Sequence, residues 1–120
     1  MFLMGAAGFD AIVGCFDAKY YYWFIRPPQA DPTIATLFAP PPHPSYPSGH
    51  SCVTGGYSGV VADAFPSERD RLDAVAEEAS VSRLYAGIHF RFDMQAGLAL
   101  GRAAAAIAVA ANIDGPGSLP

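Results

Sequence analysis

The 120-residue chain has little of what several function classes require. Its two cysteines, Cys15 and Cys52, are too few and too far apart for a structural zinc pattern, and they read as two separately buried thiols. Only 7 Lys and Arg stand against 11 Asp and Glu, a net charge of −4. Phosphate-backbone binding needs a basic face, so nucleic acid is not an expected partner. The apolar start MFLMGAAGF lacks a basic n-region and meets Asp10 early, which argues against a signal peptide. The other apolar run, AGLALGRAAAAIAVAA, carries Arg102. Both fall below the ~18–20 uninterrupted apolar residues of a membrane helix. The expectation is a soluble chain without a membrane partner, its compartment unspecified. There is also no strand alternation and no internal repeat.

What the chain does have is apolar content of 52% with only 15% charged residues. That composition and length suit one domain, residues 1–120, with a single core. A first helix is predicted to run to about residue 25, stopped by Pro27 and Pro28. Residues 27–47 hold most of the prolines and read as a long functional loop. A small-residue helix follows from about Gly49 to Ala64, and its Gly55-Gly56 pair predicts close packing on a neighbour. The next helix opens with Ser67 and Asp70 at capping-box spacing. Its apolar face is Leu72, Val75, Ala76 and Ala79, and Arg83 continues that stripe, where a guanidinium needs a partner. An Ala-rich helix runs from about Asp93 to Ala111, before a flexible Gly/Pro tail at 113–120. The expected class is all-α, a helical bundle.

Three places carry chemistry. Pro47-Ser48-Gly49-His50 stands at the mouth of a helix, where Ser and Gly serve as punctuation or, with exposed N–H groups and an imidazole, as an anion cradle. Lys19 and Arg26 lie seven apart, two helical turns, either converging on one face or forming a solvated pair at a helix C-terminus. His89 and Asp93 lie four apart, so the carboxylate can accept the imidazole N–H and fix its tautomer. A satisfied core histidine or a capping pair would have the same spacing. No further Cys or His completes a metal site. The run Tyr20-Tyr21-Tyr22-Trp23-Phe24 is expected to pack in the core or an interface rather than line a pocket.

In order, the blocks read Lys-x6-Arg-Pro, Pro-Ser-Gly-His and Ser-Arg-x5-His-x3-Asp. They resemble the tripartite signature of the type 2 phosphatidic acid phosphatase and vanadium haloperoxidase superfamily, over residues 19–93. Lys19, Arg26, Pro27, Pro47, Ser48, Gly49, His50, Ser82, Arg83, His89 and Asp93 match every specified position. The resemblance implies that Lys19, Arg26, Arg83, Ser48 and Gly49 bind phosphate or vanadate. It implies His89 as nucleophile, oriented by Asp93, and His50 as acid–base. No metal is implied other than vanadium, bound as vanadate through His89. The first activity implied is phosphoester hydrolysis without a cofactor. The alternative is vanadate-dependent oxidation of halide by peroxide, with small-molecule partners in either case. His43, seven before His50, is a candidate for the rim of the site or a neutral loop residue. Catalytic domains of this family usually carry helices before the lysine-bearing one. A truncated phosphate-binding module, missing N-terminal helices, or a homodimer covering the apolar face therefore stand as further expectations.

Overall fold

In the computed structural model, which describes residues 2–112, every regular element is helical. Helix α1 spans Phe2–Tyr22, a single short turn α2 spans Pro27–Ala30, α3 spans Gly49–Ala64, α4 spans Arg69–Tyr85 and α5 spans Arg91–Ala111. The all-α expectation holds. Residues 113–120, expected to be a flexible tail, lie outside the described residues.

Helix α3 is central, packed on α1, α4 and most extensively on α5. Glycine is what lets these backbones meet. A methyl group at Gly97 would stand 2.6 Å from Ser48 O, and one at Gly55 would stand 2.9 Å from Leu98 O. At Gly101 it would collide with the Cys52 carbonyl and stand 2.7 Å from Gly56 N. The expected close packing of Gly55 and Gly56 is therefore observed, with Gly56 against Ala7 of α1 and Gly55 against α5. Buried Cys15 and Cys52 join Ala11 in the core between α1 and α3. Both thiols are free, as expected, but they are not separate. They pack against each other, Cys15 Sγ donates to Pro47 O at 3.7 Å, and the neighbouring thiol together with burial pushes Cys52 up.

Several local expectations are corrected. Helix α1 ends at Tyr22, short of Pro27, so Lys19 and Arg26 do not share a helix. The chain leaves α1 through Trp23, in the left-handed region at φ 48°. Arg26 is extended (φ −83°, ψ 155°), as a residue preceding proline prefers. Tyr20 to Phe24 are exposed rather than core, with Trp23 68% accessible. Ser67 caps nothing, because Pro66 opens a 3-10 turn over Pro66–Glu68 and α4 begins only at Arg69, after Glu68. Val75 lies outside the packed face, 54% exposed, while Ala76 and Ser80 are buried.

The molecule measures 53 × 30 × 19 Å. Its short dimension is about two helix diameters, so each helix keeps an uncovered side. Phe9, Val13 and Ile107 are exposed for that reason. Helix α5, 21 residues with an 18-residue stretch of mean hydropathy 1.4, is long and apolar enough to cross a membrane by length and composition. This corrects the expectation that no segment qualifies, because the helix begins at Arg91, earlier than the apolar run alone.

Candidate active site

The network starts from the two positions where the helices begin. Ser48 is the N-cap of α3, its side chain accepting from Ser51 N at 3.4 Å. Its own N–H donates to the Asp93 carbonyl at 2.9 Å, which ties the mouth of α3 to the first turn of α5. Gly97 permits this approach. In the turn before α5, Gly87 adopts φ +73°, where any side chain would be strained and would meet Ala35 O. The turn delivers His89, and Asp93 reaches back to Phe90 N at 3.0 Å.

His89 and Asp93 are both buried, with Nδ1 of the imidazole 2.9 Å from Asp93 Oδ2. Arg26 Nη1 approaches His89 Nε2 at 3.2 Å. Arginine only donates, so Nε2 accepts and Nδ1 carries the proton. Burial lowers the His89 pKa despite the opposing hydrogen bond to Asp93. The pair is therefore a neutral imidazole donating to a carboxylate, and its Nε2 lone pair faces Arg26.

The cations gather on the proline-rich loop. Lys19, fully buried, donates to Pro44 O at 2.7 Å and Ser45 O at 2.9 Å. Arg26 donates to His43 O through Nε at 3.2 Å and to Ile88 O through Nη1 at 2.8 Å. His43 Nδ1 lies 3.2 Å from Arg26 Nη2 and accepts from it. The His43 ring packs on Phe16 with centroids 5.1 Å apart. Its pKa is lowered, first by burial. Lys19 and Arg26 thus converge through the loop, not through a shared helix face.

Burial drives the Lys19 pKa down to about 8, opposed by Cys15 and reinforced by Arg26. The folded chain releases this proton before the unfolded chain does, whose lysine holds it to 10.5. Lys19 therefore costs stability below pH 8, and the cost fades as pH rises toward 10.5. Anion binding runs the other way. Sulfate keeps its charge across this range, and its affinity is expected to fall as pH rises through about 8, by up to tenfold per unit. Calorimetric titration at several pH values checks this, and in Lys19→Met the fall should flatten.

A cavity of about 350 Å³ opens beside the network. Ile12, Phe16, Val53 and Ile88 give it apolar walls; His43, His50, His89 and Gly49 also line it. A larger hollow of about 600 Å³, around Asp63, Asp73 and Arg102, contains none of the motif residues. His50 is exposed at the cavity, its pKa lowered by partial burial and then by Arg83. Arg83 itself is not drawn into the network. Its Nε donates to Ser82 Oγ at 3.0 Å, and its guanidinium lies 5.8 Å from the Phe38 ring centre. Among the described residues it has no carboxylate partner within ion-pair distance.

One participant had no sequence signal. Ser45, fully buried, donates to Asp93 Oδ2 at 2.6 Å and lies 3.4 Å from His89 Nδ1. No spacing in the three blocks specifies position 45, because its contact with residue 93 exists only in the folded chain.

The donor set suits a tetrahedral oxyanion. Buried Arg26 lies within hydrogen-bond distance of an unprotonated ring nitrogen, buried Lys19 is held on the adjoining loop carbonyls, and the helix mouth contributes a glycine to the cavity lining. The same set suits vanadate, since His89 Nε2 offers a lone pair with Arg26 beside it.

Solved structures of other proteins share this fold. A solved bacterial vanadium-dependent iodoperoxidase is 30% identical, with 90% of this chain and 32% of that one covered, at a TM-score of 0.80. The chain thus spans about a third of that protein's length. A transmembrane PAP2-type phosphatidylglycerolphosphate phosphatase from Bacillus subtilis shares the fold at 22% identity. There 91% of this chain and 57% of that one are covered, at a TM-score of 0.75. No curated protein matches the chain. The family model of the PAP2 superfamily matches residues 1–114, and with its three motif blocks gathered around one buried histidine, the chain belongs to that superfamily.

Proposed function

We propose that the chain hydrolyses phosphomonoesters through a phosphohistidine on His89. The observation that carries this reading is the His89 tautomer, with Nδ1–H on Asp93 and the Nε2 lone pair beside Arg26. Lys19, Arg26, Ser48 and Gly49 bind the non-bridging oxygens, and Arg83, beside His50, is the third cation. Nε2 attacks phosphorus, the bond to the ester oxygen breaks, and His50 gives that oxygen its proton. Neutral His50 then takes a proton from water, whose oxygen attacks phosphorus and breaks the P–N bond. Both steps conserve protons, and the cations offset the charge on the phosphoryl group.

Purified chain given an aryl phosphate should release phosphate, and orthovanadate should stop it. No turnover by a folded, helical chain would sink the reading. An alkyl phosphate, whose leaving oxygen needs the proton, should also show a pH limb. Partial burial and Arg83 lower the His50 pKa from 6.5, so its protonated form is lost below neutrality. The kcat/KM is expected to fall as pH rises through a value under 6.5. A plateau reaching pH 8 would remove His50 as the acid.

A second reading is vanadate-dependent oxidation of halide, favoured by the 30% identity to an iodoperoxidase. His89, Lys19, Arg26, Arg83, Ser48 and Gly49 would hold vanadate, which supplies activation of hydrogen peroxide toward halide. His43, packed on Phe16 and lining the same cavity, would stand at its rim. A bromide–peroxide assay on vanadate-loaded chain separates the two activities. Loss of both would leave a phosphate-binding module, completed by N-terminal helices or a second copy.

A further inference from the structure

We infer that Ser45 is a positioning residue, holding the Asp93 carboxylate in the orientation that meets His89; the inference rests on the proposed phosphohistidine site. Asp93 is fully buried and its two oxygens are treated unequally. Oδ2 takes His89 Nδ1 at 2.9 Å, Ser45 Oγ at 2.6 Å and Phe90 N at 3.0 Å. Oδ1 is buried and has no hydrogen-bond partner among the described residues. A half-turn of the carboxylate would merely exchange equivalent oxygens, but a partial turn about its terminal bond would carry Oδ2 away from His89 Nδ1, so something must hold it. Phe90 N comes from the same helix start and moves with Asp93. Ser45 comes from the proline-rich loop, and among the described residues its hydroxyl is the only donor to Oδ2 from outside the residue 89–93 segment.

Ser45 is itself anchored at both backbone ends. Its N–H donates to Phe24 O at 2.9 Å, and its carbonyl accepts from Lys19 Nζ at 2.9 Å. Its hydroxyl proton goes to Oδ2, because the nearby Nδ1 already carries one. The hydroxyl therefore acts through Asp93 on the His89 ring. It does not touch the substrate. Partners of this kind, one shell removed from the reacting atom, are typically worth about 10–100-fold.

The test uses the full chain carrying Ser45→Ala, with Ser45→Thr as the rescue. S45A should lower kcat for an aryl phosphate by about 10–100-fold while leaving KM within about twofold. The oxyanion donors remain, including the backbone carbonyl that holds Lys19. S45T, which restores the hydroxyl, should recover kcat to within a few-fold. Should S45A not fold, Ser45→Cys takes its place, keeping the volume with a weaker donor, and a smaller loss of kcat is expected. Nitrogen-15 spectra of His89 provide a readout without turnover: one Nδ1–H tautomer in the unaltered chain, a mixture in S45A.

Unchanged kcat and an unchanged tautomer in S45A would overturn the role of Ser45. A rise in KM without a fall in kcat would do so too, by placing Ser45 in binding. An unaltered chain without phosphatase activity, whose S45A variant still loses the single tautomer, would sink the phosphatase reading and leave the positioning role standing.

Discussion

Replacing His89 by alanine is expected to lower kcat for an aryl phosphate by more than about 10⁴-fold, the scale of losing a nucleophile. The reason is the absence of a substitute. Among the groups lining the 350 Å³ cavity, His43 accepts from Arg26 through Nδ1, and His50 is assigned to the proton. Neither is oriented by a carboxylate. The variant should still bind sulfate, because Lys19 and Arg26 keep their places on the loop carbonyls and do not depend on the His89 ring for them. Rapid-quench experiments with a radiolabelled ester add a direct check, since acid-labile label should appear on the unaltered chain and be absent from H89A. A variant that turned over normally would remove His89 from the chemistry altogether.

Gly101→Ala is expected to be the most damaging single methyl group that can be added to this fold. It would collide with the Cys52 carbonyl and stand 2.7 Å from Gly56 N, both backbone atoms of α3. Alanine's better helix propensity favours the change by about 1 kcal/mol. Overpacking against backbone that cannot rotate away costs about 3 kcal/mol. The clash wins, for a net loss of about 2 kcal/mol, and urea unfolding should report it. Gly5→Ala is the matched control. A methyl there meets nothing within 4 Å, and the site is exposed in the first turn of α1. It should stabilise the chain by about 0.5–1 kcal/mol. If G101A proved as stable as G5A, α3 and α5 would not be packed backbone to backbone.

The two predictions meet at Gly97. Its missing side chain lets Ser48 O approach α5, and the same approach lets Ser48 N bond to the Asp93 carbonyl. The packing that holds the bundle together is therefore the packing that brings the Ser48-Gly49-His50 turn to His89. Stability and site geometry rest on one glycine-lined seam.

The three blocks were legible because each is local. A helix mouth needs Ser and Gly in sequence, and His89 with Asp93 needs only one turn of spacing. Ser-Arg-x5-His-x3-Asp likewise fits within one helix end and one turn. The aromatic run was not legible from its residue types. Tyr20 to Phe24 look like core by hydropathy, yet they are exposed where α1 ends at Tyr22 and the chain leaves it through Trp23 at φ 48°. Nor was α5 fully legible. The helix was read from about Asp93, and Arg91 and Phe92 before it lengthen the observed α5 to 21 residues.

By itself, then, the sequence determined the all-α class, the superfamily and the residues available to hold an oxyanion, since these follow from period, composition and short spacings. Only the tertiary structure decided how Lys19 and Arg26 converge, because their shared anchor is a set of loop carbonyls with no sequence identity to read. It also decided that Cys15 and Cys52 touch, that Arg83 rests by Phe38 outside the network, and that Ser45 holds Asp93. Each of these is a contact between segments distant along the chain. Such contacts depend on how closely the glycine seam lets α3 and α5 approach, and spacing along a chain does not encode the distance between two helices.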